Sequence, residues 1–514
     1  MRYPFSMKNG DRTRLPPAKL PILLCALLAA VTTIATPASG ANEFNVRAYG
    51  AAGDGRADDS GGLRNALAAA ASAGGGIVYF PPGIYRIDPA AGPFLVSSDT
   101  TIAGSGPRSV LRVRDGAGHY NLIFGQRARR IADVAFTRFR VDQNPAGNPG
   151  SDINAATDAE NVIQLYDFDG VTVDDVAFDP EPGVQAMVLA GPHAAHVTIE
   201  GCSFRFRRGA SSNPFYDNSS IYTEAAGVRI AGNHFWSTNA ENAVTAIEVH
   251  GGPDIVVAGN DATEFQIGMN IVNSTTGYPD VKDARVAAVD NRILNTTQAF
   301  DLWSVTGRTL RGVTIDRNTV TMQQHRQYAN VWLGVTFVRG PRDAGIDGAF
   351  GDVTVEDNAF DFRALYGERV ATLDAAGIDV APKGPLHELR ATGNEVLASP
   401  ASGLRIGSVS ATPRLDGLEF TGNRVEDAGW DAHAPARARA AVRMEAAWLT
   451  GVHVDRNAIL DTGRYGDLRE AFSAWAHPLR ISRDVTLRDD RIEPHGVMRF
   501  SVDRRVVDDR GTRP

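Results

Sequence analysis

Three carboxylates, Glu248, Asp301 and Asp379, occupy equivalent places in short alternating segments: Ala246-Ile-Glu-Val249, Phe300-Asp-Leu-Trp303 and Ile378-Asp-Val380. Apolar residues flank each acid, so a strand that turns its apolar side inward turns the acid outward. Reading the same middle position in related segments adds Gln164, Val188, Tyr222, Asn270, Trp332, Arg405 and Arg443. Flanking outward positions add Tyr166, Glu224, His250, Trp303, Lys383 and Glu445. If the segments stack at the ~4.8 Å spacing of paired strands, Glu248 and Asp301 lie two levels and ~10 Å apart, as do Asp301 and Asp379. Leaning side chains would bring either pair into the roughly 6.5–9.5 Å range of an acid and base that invert a glycosidic centre. Asp301, with Glu248 or Asp379, is therefore the expected acid–base pair.

The same stripe admits a second chemistry. Abstraction of the proton beside a uronate carboxyl needs a base and a cation or metal that neutralises the carboxyl. Arg405, Arg443 and Lys383 supply cations, and Glu248, Asp301 and Asp379 offer oxygen ligands for Ca²⁺. No cofactor is otherwise expected. Tyr222, Trp303 and Trp332 suit stacking on sugar rings, with His250 and Asn270 as polar contacts. The competing explanation is ordinary surface charge for each acid, and for the aromatics packing beneath segments 273–285 and 339–350.

What must position these residues is a repeat. Val171-Thr-Val-Asp-Asp-Val-Ala-Phe178 is matched by Val197-Thr-Ile-Glu-Gly-Cys-Ser-Phe204 and Val228-Arg-Ile-Ala-Gly-Asn-His-Phe235. The series continues at Ile255, Val286, Val313, Val353, Leu389, Leu418, Val452 and Val485, at intervals of 26 to 40 residues. A constant kernel at irregular intervals means variable loops on a fixed scaffold. Its first and third positions are apolar, the period of a strand with one buried face. Its sixth is Asn at 233, 260, 291, 318, 358, 394, 423 and 457, a residue suited to sharp bends and able to stack into an amide ladder. Its eighth is apolar again and opens a second strand. With the segments that carry the acids, this makes three short strands per coil: an all-β, right-handed parallel β-helix.

Residues 58–73 are expected to form a capping helix, with Asp58, Asp59 and Ser60 as N-cap oxygens and Gly74-Gly75-Gly76 as the stop. Further upstream, Arg12, Arg14 and Lys19 precede the apolar run Leu20–Ile34 and small residues near Ala41, the pattern of a cleaved export signal. The expected organisation is a signal at 1–41, cap and first coils at 42–115, β-helix at 116–495, and a C-terminal cap or flexible tail at 496–514. Removing 1–41 deletes five basic residues and one acid and moves the formal charge from −8 to −12. An acidic chain lacks the basic footprint of a nucleic-acid binder, and the apolar run is too short for a membrane span. Cys202 is then the sole cysteine, so no intrachain disulfide is available, and its kernel position makes it a turn or core thiol.

The N-terminal stretch Asn45-Val-Arg-Ala-Tyr-Gly50-Ala-Ala-Gly-Asp-Gly55 through Asp58-Asp59, then Gly74-Gly-Gly-Ile-Val-Tyr-Phe-Pro-Pro-Gly83-Ile-Tyr85, resembles the opening of the pectate-lyase-like superfamily. That superfamily includes family 28 glycoside hydrolases and their rhamnogalacturonase relatives, exo-β-1,3-glucanases, epimerases and phage tailspikes. The resemblance is close over about residues 44–110 and implies fold more than reaction. The Asn-Thr-Asp, Gly-His-Gly and Arg-Ile-Lys stretches of family 28 are absent, as is the Asp-Pro-His of alginate epimerases. Asp174-Asp175 and Arg229-Ile230 lie inside kernels and read as scaffold. The expectation is a secreted enzyme that cleaves a polysaccharide by inverting hydrolysis. A polysaccharide lyase or uronate epimerase is the alternative, and a non-catalytic, tailspike-like glycan binder stands third.

Overall fold

A computed structural model describes residues 42–148, 159–181, 184–206, 218–237, 245–273, 284–323, 332–337, 347–367, 375–407, 414–434, 438–445, 448–465, 468, 470–474, 480–488, 490–493, 499–501 and 507–508. The export segment expected at 1–41 lies outside them. The described strands fall into three parallel sheets of 16, 15 and 14 strands, each strand pairing with its counterpart one coil away. This is the right-handed parallel β-helix that the repeat implies. Sheet 1 runs from Glu43–Asn45 to Val507–Asp508, sheet 2 from Asp54–Asp58 to Arg491–Glu493, and sheet 3 from Phe94–Val96 to Arg499–Ser501.

The kernels supply sheet 1, in register throughout. Val171 pairs with Val197, Val228 with Ile255, and so on to Val452 with Val485. Where side chains are described, the first and third are buried, as at Val197 and Ile199. The eighth position stacks inside sheet 2: the rings of Phe178, Phe204 and Phe235 lie 4.8 and 4.6 Å apart and nearly parallel.

The sixth-position asparagines form the expected ladder. From Asn233 to Asn457, each side-chain amide donates to the Oδ1 of the next at 2.9–3.0 Å and to a main-chain carbonyl one coil back. Cys202 closes one end, its backbone N–H donating to Asn233 Oδ1, and Asp490 closes the other by accepting from Asn457. Burial pushes the Cys202 thiol up to about 12, so it stays protonated and inert as a nucleophile.

The N-terminal helix spans Ser60–Ser72, but its cap differs from the expectation. Asp59 makes no side-chain bond to the helix; its carboxylate accepts from the N–H groups of Ala52, Gly53 and Arg86. Burial made it more useful as a staple between the first loop and sheet 2. Asp58 accepts from Ser60 N–H instead. At the far end the coils continue past residue 495: Arg499–Ser501 pairs with Glu470–Ala474, and Val507–Asp508 with Arg480–Arg488. The rest of 496–514 lies outside the described residues.

Candidate functional site on the third sheet

Sheet 3 carries the acids because its strands are cut to a pattern. Two residues before each site position stands a small residue, among them Ala246, Gly268, Ala299, Gly334, Gly377, Gly403 and Ala441. A Cβ on Gly334 would meet the Phe360 ring at 2.4 Å, and one on Gly377 would meet Val396 at 2.4 Å. Side chains of sheet 2 thus occupy the room beneath sheet 3 and fix where its next outward residue emerges.

Strand register places the expected residues in one line. Gln164 pairs with Val188, then Tyr222, Glu248, Asn270 and Asp301 follow coil by coil. Beyond Asp301 the line runs through Thr336 to Asp379, Arg405, Arg443 and Ser473. The exception is Trp332. Its backbone opposes Ala375, four residues before Thr336, so it does not belong to the line. Val331-Trp-Leu333 and Val335-Thr-Phe337 both read apolar–x–apolar, and a shift by an even number of residues leaves the alternation unchanged. Lys383 is also off the line: it is exposed, three residues past the end of Ala375–Val380.

The line is not the open shelf that outward alternation suggested. Glu248, Asn270, Asp301, Thr336, Asp379, Arg405 and Arg443 are all buried, and Arg405 is among the largest fully buried side chains. Tyr222, His250 and Trp303 remain partly exposed. Half-buried rings therefore front a buried row of acids and bases.

Within the row, charge is sorted. Asp379 accepts a two-pronged guanidinium contact from Arg405, at 2.7 and 2.6 Å, and a hydroxyl bond from Thr336. Arg443 bonds Glu445 two residues on. These pairs satisfy buried charges with opposite charges, so neither arginine stands as a bare cation. On the other side of Asp301, His250 Nε2 lies 2.6 Å from Glu248 Oε1, and the His250 ring packs on Tyr222 with centroids 4.7 Å apart. The Tyr222 hydroxyl donates to Glu224 Oε1, whose other oxygen accepts from Gly191 N–H. Glu224, a flanking residue in the sequence pattern, thus anchors the aromatic front.

Between these groups lies Asp301. Burial, reinforced by the Asp379 carboxylate, pushes its carboxyl up to about 8, against the opposing pull of the Trp303 indole N–H. That indole is near enough to favour the anion but does not meet hydrogen-bond geometry, since Trp303 Nε1 has no partner. Asp301 Oδ1, Asn270 Oδ1 and Glu248 Oε2 are likewise buried and unpartnered. A neutral Asp301 at pH 7 can donate a hydrogen bond to developing negative charge, as an ionised carboxylate cannot. Among the described residues, no three His, Cys, Asp or Glu side chains converge as metal ligands. Glu248, Asp301 and Asp379, set two coils apart, do not fit as the joint Ca²⁺ ligands the sequence offered.

The chain is thus a right-handed parallel β-helix with a buried polar row on one sheet. Comparison with known proteins agrees with this class: residues 43–277 match the family model of rhamnogalacturonase A/epimerase, pectate lyase-like. The chain is similar to the mannuronan C5-epimerase AlgE6 of Azotobacter vinelandii, 28% identical over 202 residues, covering 35% of this chain and 22% of that protein. Similarity to alginate lyase 7 of the same organism is 26% over 200 residues, 34% of this chain and 22% of the relative. The matches thus span about a fifth of these relatives' own length. Among solved structures, a mutant tailspike protein of E. coli bacteriophage HK620 in complex with pentasaccharide superposes with a TM-score of 0.65 at 13% identity, over 88% of this chain and 78% of that one. At that identity the likeness concerns the fold.

Proposed function

We propose that this chain is a secreted polysaccharide-modifying enzyme that removes the proton beside the carboxyl of a uronic acid residue, acting as a lyase or an epimerase. The observation that carries the reading is the placement on one sheet, two coils apart with Asn270 between them, of a carboxylate-held imidazole and a neutral buried carboxyl: Glu248–His250 with Asp301. The named activities of the two relatives, C5-epimerisation of mannuronan and lysis of alginate, both begin with that proton transfer.

In this reading the sugar stacks on Tyr222 and Trp303, with its carboxyl turned toward Asn270 and Asp301. Glu248 holds the His250 imidazole through Nε2 and so fixes the orientation of its ring. His250, with Tyr222 beside it, takes the proton. Asp301 donates to the carboxyl oxygen on which charge accumulates, a role that needs its proton in place. Asn270, whose Nδ2 already donates one hydrogen to Thr245 Oγ1, has the second to add. The charge left on the sugar is then discharged by expelling the glycosidic oxygen or by accepting a proton on the opposite face.

Hydrolysis, placed first on sequence grounds, is kept as the second reading, because a carboxyl raised to about 8 also suits a general acid. Its partner carboxylates are less free for that task, Asp379 being engaged by Arg405 and Glu248 by His250. The test is product analysis over uronate polymers and neutral glycans. Unsaturated ends, or solvent deuterium incorporated at C5, are expected from the uronate polymers, and lost in His250→Ala. Reducing ends with neither signature would favour hydrolysis, and no product from any polymer would leave only glycan binding.

A further inference from the structure

On a different face, three aromatic rings meet at the surface. Tyr366, Trp430 and Tyr465 follow the sheet 2 strands Ala359–Asp361, Arg424–Glu426 and Ala458–Leu460. The Tyr366 ring sits 5.2 Å from Trp430 and 4.9 Å from Tyr465, both edge-on. Tyr366 keeps 50% of its surface exposed, the most of any large hydrophobic side chain among the described residues. Trp430 spends its only polar hydrogen on Ala398 O, so what it offers outward is apolar. The exposed Arg464 lies over the Tyr465 ring, 5.4 Å from its centre.

We propose that this cluster is a second glycan site, for an anionic polysaccharide, separate from the buried row on sheet 3. The inference rests on the reading of the chain as polysaccharide-active, though not on which reaction it performs. Core packing does not require a half-exposed tyrosine standing on edge between two other rings. Sugar rings fit such platforms, laying their C–H faces on aromatic planes. Arg464 supplies the charge complement for a carboxylate on the same sugar, while the neighbouring Arg363 is already taken up by Asp361. The three turns lead on to sheet 3 strands that carry Asp379, Arg443 and Ser473, so the platform and the row share coils. A polymer held at both places would bind more tightly than at either.

The test is affinity electrophoresis of the full chain in gels containing alginate, polygalacturonate or a neutral glucan, on wild type, Tyr366→Ala, Arg464→Ala and His250→Ala. Retardation by at least one uronate polymer and not by glucan is expected, with apparent affinity falling about five-fold or more in Tyr366→Ala and less in Arg464→Ala. Turnover of short oligosaccharides should be unchanged in both. Retention of polymer by a His250→Ala protein that has lost turnover would separate this site from the reaction. Equal retardation of Tyr366→Ala and wild type, or no retardation of wild type by any uronate polymer, would overturn the proposal. A Tyr366→Phe variant, which keeps the ring, should behave as wild type; failure there would mean the loss in Tyr366→Ala came from the fold.

Discussion

Two lines of polar side chains run the length of this solenoid, and they are built on opposite rules. The asparagine ladder beside sheet 1 repeats one residue, and each amide finds the same partners one coil away. The sheet 3 row keeps no single residue: tyrosine, glutamate, asparagine, aspartate, threonine, aspartate and arginine succeed one another, and several of their buried atoms have no partner. Leaving a buried polar atom unpartnered costs about 1–3 kcal/mol, so a chain that solves the problem eight times in one line and leaves it open in another is using the second line differently. The ladder holds the fold. The row holds polar atoms in reserve for something else.

The sharpest way to break this contrast is a matched pair of substitutions. His250→Ala should lower turnover of a uronate polymer by roughly 10²–10⁴-fold, while the chain stays folded at a cost of about 1–3 kcal/mol for the partner it takes from Glu248. Asn318→Ala removes bonds to Asn358, Ala288 and Asn291, and should cost about 3 kcal/mol in denaturant unfolding while turnover per folded molecule stays near wild type. If the ladder variant lost activity while fully folded, or the histidine variant unfolded, the division of labour would be wrong.

How much of that division can be read from residue order differs between the lines. A kernel with a fixed sixth residue announces itself by repetition, so the ladder and its Cys202 end follow from pattern alone. The row was legible only as positions. Alternation put Glu248, Asn270, Asp301, Asp379, Arg405 and Arg443 on the line that strand register gives, yet placed Trp332 where Thr336 stands, because an even shift preserves alternation. Burial was not legible at all. Whether an outward residue meets water depends on chain far away in sequence, which no local period encodes. For the same reason the pairing of Arg405 with Asp379, two arms of one buried ion pair, could not be told from two free charges on a surface.

Smaller effects sharpen the comparison through pH. The Asp301 carboxyl is raised in the fold above its unfolded value near 4, so between roughly pH 4 and 8 the folded chain keeps a proton that the unfolded chain has released. The contribution is fully present below the unfolded value and lost as pH rises through the folded one. Stability should therefore decline across that window, and Asp301→Asn should flatten the decline, exceeding wild type at pH 9 by roughly 2–5 kcal/mol. No such slope should attach to any ladder asparagine. Smallest of all, Cys202→Ser keeps the backbone N–H that bonds Asn233 and should cost about 1–2 kcal/mol, with no change in turnover.

The chemistry proposed for the row requires Asp301 to stand protonated at neutral pH inside it. Difference infrared spectra of wild type against Asp301→Asn, followed across pH in the carboxylic-acid band, test that state at the residue itself. A band that persists through pH 7 and disappears with a midpoint near 8 is the expected result. A midpoint near 4, or no acid band at neutral pH, would mean that Asp301 is an ordinary carboxylate and that the row has no neutral donor to offer.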